Sequence, residues 1–596
     1  MNNTIFSCGW QHESFRLEYG RRPSLEQNEM KMTCCRNDFA AASLVINSYY
    51  CMILLVENHA RFSEYEGFGI LRAEVNCPGI PDVSLSRVQM HADDDKVWRG
   101  DALADWGSEP LKPWVPAQLF LRASVPADIK PGVYKGSVRL YVHWMFEEER
   151  LEQELPFEIE VAEPILPSGK ERTFHLAIWQ HPSNIARKHE VPLFSDRHFE
   201  ILEEYTRTLS EMGNVVATVQ VGEIPWAGQF CYRIVDAPAE MFEYSMVTIT
   251  KKADGTFSYD FSVLQRYLEL CDKYDMAREI QLYGLIRNWL DVKFGYGNIT
   301  EDYPDAVRFR YTDEADGCSK YMKKTVEIRN YITALYEWLK EQGWLERCQL
   351  AADEPPDMEA YLDAMKEIKS LMPDIKLQMD VCPAILDERE KFEFDCYDPL
   401  LSEIAENEAK DPGVLERVLK RVTGKKVFSL CCTPWIPNLF LCSPLLEGRL
   451  HGPLAEWLHF DGFLRWAYTC WPASPREDIT YRTGNCSDGT WPAGDTCLVY
   501  PTNGGHVMFS LRYFALKRGI GDFELMQMVK RECPNGSQIV EQALAKMIRQ
   551  PKLALWQFDV ADGSQYSLTP EDYDEARALL TDALFKARTG VERKRS

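Results

Sequence analysis

Residues 347–381 read RCQLAADEPPDMEAYLDAMKEIKSLMPDIKLQMDV. The apolar run RCQLAAD (347–353) predicts a strand, MEAYLDAMKEIKSLM (358–372) a helix and IKLQMDV (375–381) a second strand. The first run ends in two adjacent acids, Asp353 and Glu354, and Pro355 and Pro356 close it at once. Neighbouring carboxylates out of bulk water repel, so one of them holds its proton above the ordinary carboxylate range. Catalytic pairs sit this way. The same dipeptide also reads as a helix start, an Asp cap with proline in the first turn.

The strand–helix–strand unit recurs on both sides. FHLAIWQ (174–180), VVATVQV (215–221) and EIQLYGL (279–285) are strand-like runs before it. A weaker FDCYDPL (394–400), then KVFSLCCT (426–433) and GFLRWAYTC (462–470), follow. Between them lie helical patterns: DRHFEILEEYTRTLSEMG (196–213), FSVLQRYLELCDKYD (261–275), KKTVEIRNYITALYEWLKEQG (323–343), LSEIAENEAKDPGVLERVLKRVTG (401–424) and LLEGRLHGPLAEWLHF (445–460). This alternation predicts a (β/α)8 TIM barrel, with an open α/β sheet as the alternative.

The first third differs. VPAQLFLRASVP (115–126), GSVRLYVHWMF (136–146) and QELPFEIEVAEP (153–164) alternate apolar and polar residues between turn signals, which predicts a β-sandwich. AEPILPSGKERT (162–173) reads as the linker. SLRYFALKRGIGDFELMQMVK (510–530) and SQIVEQALAKMIRQ (537–550) are helical. The division expected is a sandwich over 1–165, the barrel over 166–535 and a helical segment over 536–596 packed on it.

A chain of 596 residues with 45% hydrophobic residues holds more than one core. Its formal charge of −24 argues against a nucleic-acid partner, which requires a basic face. No run is long and apolar enough to span a bilayer, and the N-terminus lacks the basic and apolar regions of a secretory signal. A cytoplasmic protein without a membrane partner is therefore expected, with size and acidity that suit a homodimer. The 18 cysteines are scattered without zinc spacing and read as reduced core thiols. No Walker or Rossmann glycine pattern occurs, so neither a cofactor nor a metal is expected.

A barrel carries its chemistry at the C-terminal ends of its strands. There the sequence offers Trp179 and His181 after the first strand, Trp226 and Gln229 after the second and Tyr283 on the third. Asp353 and Glu354 end the fourth strand, Asp380 the fifth and Tyr397 the sixth. Trp435 and Asn438 follow the seventh, and Arg465 and Trp466 belong to the eighth, with Trp471 beyond it. Any one tryptophan could be core packing, and Arg465 an internal ion pair. Together these aromatics, amides and acids form a set suited to sugar rings and their hydroxyls.

The motifs then resemble a known family. AADEP (351–355) is similar to the catalytic-strand motif of the glycoside hydrolase family 123 type, the N-acetyl-β-galactosaminidases and their relatives. WQHPSNIARKHEVPLFSDRHF (179–199), PWAGQ (225–229), DGTFSYDFS (254–262), PNLF (437–440) and DGFLRWAYTCWP (461–472) resemble further segments in order. LVYP (498–501) and SLRYFALKRGIGDFEL (510–525) resemble its closing part. RNDFAAASLVI (36–46) and PADIKPGVYKGSV (126–138) fit the family's N-terminal sandwich.

The resemblance implies substrate-assisted, retaining hydrolysis of a terminal β-linked N-acetylgalactosamine or related N-acetylhexosamine in an oligosaccharide. The substrate's acetamido oxygen would attack the anomeric carbon, Asp353 would orient and stabilise the acetamido group, and Glu354 would be the general acid and then the base. Ala177, where many relatives carry an acid, and Pro453, where tryptophan is expected, depart from the pattern and leave the glycan open. Two other readings stand beside this one: the same fold acting on a glycan without an acetamido group, and a non-catalytic carbohydrate-binding protein.

Overall fold

The computed structural model describes residues 5–56, 69–104, 108–225, 242–287, 298–352, 358–379, 395–430, 436–471 and 491–591. The N-terminal region is two facing sheets. The first has the spatial order Phe6–His12, Asp38–Ser48, Pro116–Val125, Asp82–Ala92 and Trp98–Ala104. The second runs Met30–Arg36, Arg150–Ile165, Gly132–Trp144, Gly69–Asn76, Met52–Val56 and Ser108–Leu111. The apolar stretch SLVINSYYCMILLV is not one element, because it leaves the first sheet at Ser48 and enters the second at Met52.

The first sheet is buried on both faces, and strand alternation explains why. Ala40, Ala42, Leu44 and Ile46 point into the sandwich core, while Phe39 and Ala41 point the other way. Phe39 and Phe120 then meet Phe514 at ring separations of 5.3 and 5.7 Å. Phe514 belongs to the helix Leu511–Glu532, which Ser510 caps by accepting the Tyr513 N–H. The sandwich is thus one wall of a layer that continues into the second region.

That junction also holds buried ion pairs. Arg518 donates to both carboxylate oxygens of Glu13 at 2.8 Å and reaches Asp38 at 3.2 Å. Arg577, on the C-terminal helix Pro570–Thr589, pairs with Asp38 and with Asp522. Arg449 pairs with Asp522 at 2.7 Å and with Asp574 at 2.9 Å. Burial alone would raise the Asp38 carboxyl, but Arg577 and Arg518 hold it below its ordinary range.

The second region is built on parallel strands in two sheets. A five-stranded sheet takes Val216–Gln220, Glu279–Tyr283, Cys348–Leu350, Lys376–Met379 and Cys396–Tyr397 in chain order. A three-stranded sheet has Gly462–Arg465 between His175–Ile178 and Val427–Ser429. Two isolated parallel bridges connect the sheets, Leu176 with Asn214 and Leu400 with Ser429. Their hydrogen bonds are Val215 N–H to Leu176 O, 3.1 Å, and Ser429 N–H to Pro399 O, 2.9 Å.

Among the described residues helices separate these strands except between Lys376–Met379 and Cys396–Tyr397, with two departures from the pattern read in the sequence. The segment 401–424 is not one helix but two, Leu401–Lys410 and Val414–Arg421, because Pro412 cannot continue the first and Gly413 turns at φ +86°. A small four-stranded sheet, in the order Phe257–Asp260, Thr248–Lys251, Arg310–Asp313 and Ser319–Tyr321, takes its first two strands from between the second and third parallel strands and its last two from between the third and fourth. Among the described residues no helix is long and apolar enough to cross a membrane.

Candidate active site

The inner face of the parallel strands is identifiable from its contacts. Ala177, Trp179, Val216, Tyr283, Ala351, Val427, Leu464 and Trp466, from six strands and their ends, form one buried cluster. Polar side chains lie on the same side. Glu279 faces His175 at 3.5 Å and receives the Gln281 amide at 3.0 Å. Cys396 Sγ lies 3.9 Å from Glu279 and 3.5 Å from the Gln349 amide. Gln378 donates to Asp398 at 2.7 Å. Burial holds the His175 imidazole below its usual pKa, so it is neutral near pH 7.

At the C-terminal ends the aromatic residues come together. Trp179 and Tyr283 meet edge-on at 5.3 Å, and the Tyr283 hydroxyl donates to Gln281 at 3.4 Å. His181 approaches Trp466 edge-on at 6.1 Å, and Trp466 leans on Trp491 at 6.0 Å. Burial, reinforced by Arg187, lowers the His181 imidazole to about 3. After the second and third strands the backbone passes through Gly222 and Gly284. A Cβ on Gly284, which has φ +96°, would lie 2.6 Å from the Gly222 nitrogen.

Arg465 is fully buried and anchors the end of the eighth strand. Its guanidinium reaches Asp495 at 3.0 Å and the Asn438 side-chain oxygen at 2.9 Å. Asp495 also accepts the Trp466 indole N–H at 2.8 Å. Asn438 N–H donates to Glu447 at 2.9 Å, and the other Glu447 oxygen takes the Tyr566 hydroxyl at 2.7 Å. Burial pushes the Glu447 carboxyl up to about 7. Trp471 sits in the core, its indole N–H on Val499 O at 2.7 Å and its ring 5.5 Å from Tyr205.

Six of the residues singled out in the sequence, Trp226, Gln229, Asp353, Glu354, Asp380 and Trp435, lie outside the described residues. Tyr397 is described as strand backbone only. Trp179, His181, Tyr283 and Trp466 share one neighbourhood, with Asn438 and Arg465 bracing it from behind.

Buried acids at the site carry no sequence signature: Glu279, Glu447, Asp495 and Glu243. Glu243 accepts the Ser183 and Asn184 N–H groups at 2.8 and 3.2 Å. Asn184 in turn donates to Thr469 O at 2.8 Å. Glu243 thus ties its own segment to the turn after the first strand, and Asn184 ties that turn to the one after the eighth. Burial raises its carboxyl to about 7.

Comparison with known proteins follows this geometry. The family model described as "Glycoside hydrolase 123, catalytic domain" matches residues 179–529. No curated protein matches. Among solved structures, a family 123 glycoside hydrolase from Clostridium perfringens, studied for glycolipid glycan hydrolysis, superposes with a TM-score of 0.70 at 18% identity, covering 98% of each chain. A Bacteroides ovatus GH5 xyloglucanase gives a TM-score of 0.28 at 8% identity over 83% of this chain and 99% of that one. A β-D-glucuronidase from Dictyoglomus thermophilum gives 0.29 at 10% identity, over 82% of this chain and 67% of that one.

Proposed function

This chain belongs to glycoside hydrolase family 123, and from that premise we propose that it releases a terminal β-linked N-acetylgalactosamine, or a related N-acetylhexosamine, from oligosaccharides with retention of configuration. Glycolipid glycans, the substrate class named for the Clostridium perfringens enzyme, are the natural candidates. We read the two parallel sheets as one (β/α)8 barrel. The two bridges between them support this reading, as does the meeting of Glu279 with both His175 and Cys396, from the third, first and sixth strands.

The observation that carries the function is the direction of the fourth parallel strand. Gln349 and Ala351 lie on the inner face among side chains of the other strands. The next residue of that parity in the sequence is Asp353, with Glu354 after it. In this reading Glu354 donates a proton to the leaving oxygen and then takes one from water. An ionised neighbour favours that role by raising the pKa of Glu354. Asp353 stays charged and balances the positive charge that develops as the acetamido oxygen closes on the anomeric carbon. The spacing rule for two carboxylates does not govern such substrate-assisted enzymes. Trp466, the most exposed of the three clustered aromatics, supplies apolar surface for the sugar ring, and Trp179 and Tyr283 belong to the same buried cluster.

Hydrolysis of aryl β-glycosides of N-acetylgalactosamine, N-acetylglucosamine, galactose and glucuronic acid tests the proposal. Turnover confined to the N-acetyl sugars is expected. Turnover of galactoside or glucuronide alone would select a glycan without an acetamido group.

A further inference from the structure

The N-terminal sandwich also meets the second region away from the helix Leu511–Glu532. Where its first segment meets the loop after the seventh parallel strand there is a cavity of about 430 Å³, large enough for a sugar unit. Arg16, Glu18, Arg21 and Arg22 line one side, and Cys442 and Ser443 the other. Arg16 closes its floor, donating to Ser443 O at 2.8 Å and to Asp101 at 3.3 Å. Arg22 is exposed and makes no ion pair among the described residues.

Two large aromatics stand in the same strip of backbone. Tyr19 is 66% exposed and Trp98 45% exposed. Tyr19 N–H donates to Trp98 O at 2.8 Å, and the cavity residue Glu18 bridges to Arg99. Both rings offer exposed apolar surface on adjoining backbone.

The strip is strapped to the aromatic cluster described above. Arg16 also donates to Leu441 O, and Leu441 N–H donates to Ala493 O at 2.7 Å. Ala493 N–H donates to Asp94 of the sandwich at 2.7 Å. Ala493 lies two residues from Trp491, which leans on Trp466, and two from Asp495, which holds the Trp466 indole.

We infer that this cavity, with Tyr19 and Trp98 beside it, is an accessory subsite at which the sandwich binds sugar units of the oligosaccharide beyond the one that is cleaved. It rests on the reading of Trp466 and its neighbours as the place where the terminal sugar binds. The ligand chemistry follows from the residues. The apolar C–H face of a pyranose covers an aromatic ring, and guanidinium N–H groups donate to ring hydroxyls. Binding energy from such remote units aids the reaction at the cleaved bond.

The test compares wild type with Trp98→Ala and Arg22→Ala on two substrates: an aryl β-glycoside of one sugar, and a tetrasaccharide ending in that sugar. The ratio of kcat/KM for tetrasaccharide over aryl glycoside is expected to fall about tenfold in each variant. A ratio unchanged from wild type overturns the subsite. The aryl panel identifies the terminal sugar independently, so a wild type that cleaves only another sugar overturns the proposed specificity, and the ratio is then read with that sugar. If no aryl glycoside is cleaved, calorimetry of a tetrasaccharide ending in β-linked N-acetylgalactosamine decides. Tighter binding by wild type than by Trp98→Ala supports the subsite, and equal or absent binding overturns it.

Discussion

The Asp495 carboxylate holds the indole N–H of Trp466 at 2.8 Å. Its other oxygen takes the Arg465 guanidinium at 3.0 Å, and all three side chains are buried. The ring that we assign to substrate is therefore fixed by a charge pair and not by packing alone. Removing Asp495 would take a buried carboxylate partner from a buried guanidinium, and breaking a buried pair typically costs about 3–5 kcal/mol. Asp495→Ala is expected to lower the thermal midpoint by several degrees and to reduce kcat/KM. Unchanged melting and turnover would show that the pair carries neither stability nor alignment.

Glu447 and Glu243 give a pH dependence whose sign can be worked out. Burial raises both carboxyls to about 7, above the value near 4.5 of an unfolded chain. Between those values the folded state binds more protons than the unfolded one, so stability falls as pH rises from about 4.5 to about 7 and levels off above. Glutamine mimics the protonated acid. Melting curves from pH 5 to pH 8 should therefore fall less steeply for Glu447→Gln and Glu243→Gln than for wild type. Identical slopes would contradict the assignment.

Asp38 acts in the opposite direction. Arg577 and Arg518 hold its carboxyl below the ordinary range, so its contribution is present at neutral pH and is lost as pH falls through the folded value below 3.8. Asp38→Ala leaves two buried guanidinium groups short of a partner. Loosening of the sandwich from the helix Leu511–Glu532, read as new protease cleavage near residue 165 together with a lower melting temperature, is expected. A variant as resistant as wild type would show that Glu13 and Asp522 suffice.

The helices Leu445–Trp457 and Leu511–Glu532 cross at glycine. A Cβ on Gly452 would lie 1.9 Å from the Gly519 carbonyl oxygen, so the helices must part or the residue must stay glycine. Gly452→Ala is expected to destabilise by roughly 1–3 kcal/mol or more through overpacking, which a thermal melt would read directly. Pro453 follows this contact inside the same helix, so the tryptophan expected from the resemblance is absent where the helices are closest.

The strand–helix alternation was legible because each element repeats its own period. Helix Asp196–Met212 even carries its start at Ser195 and its stop at Gly213 in plain sight. The corner at Tyr49–Cys51 was hidden because one apolar run feeds two sheets. The four-stranded sheet was hidden because its strands are three or four residues long and the central pair that joins its two hairpins lies some 60 residues apart. At the site, the aromatics announced themselves by their recurrence at strand ends. Asp495 and Glu243 did not, since a single acid gains its meaning from a partner that only the fold supplies. Arg465 was legible as a strand-end residue, while its bond to Asp495, 30 positions away, was not.

The most direct measurement is hydrolysis of an aryl N-acetyl-β-galactosaminide by wild type and by Glu354→Gln, with matching circular dichroism spectra as the check on folding. Turnover by wild type and a loss of at least a hundredfold in the variant, the scale of a missing general acid, is the result our account predicts. Equal turnover by the two proteins would contradict it.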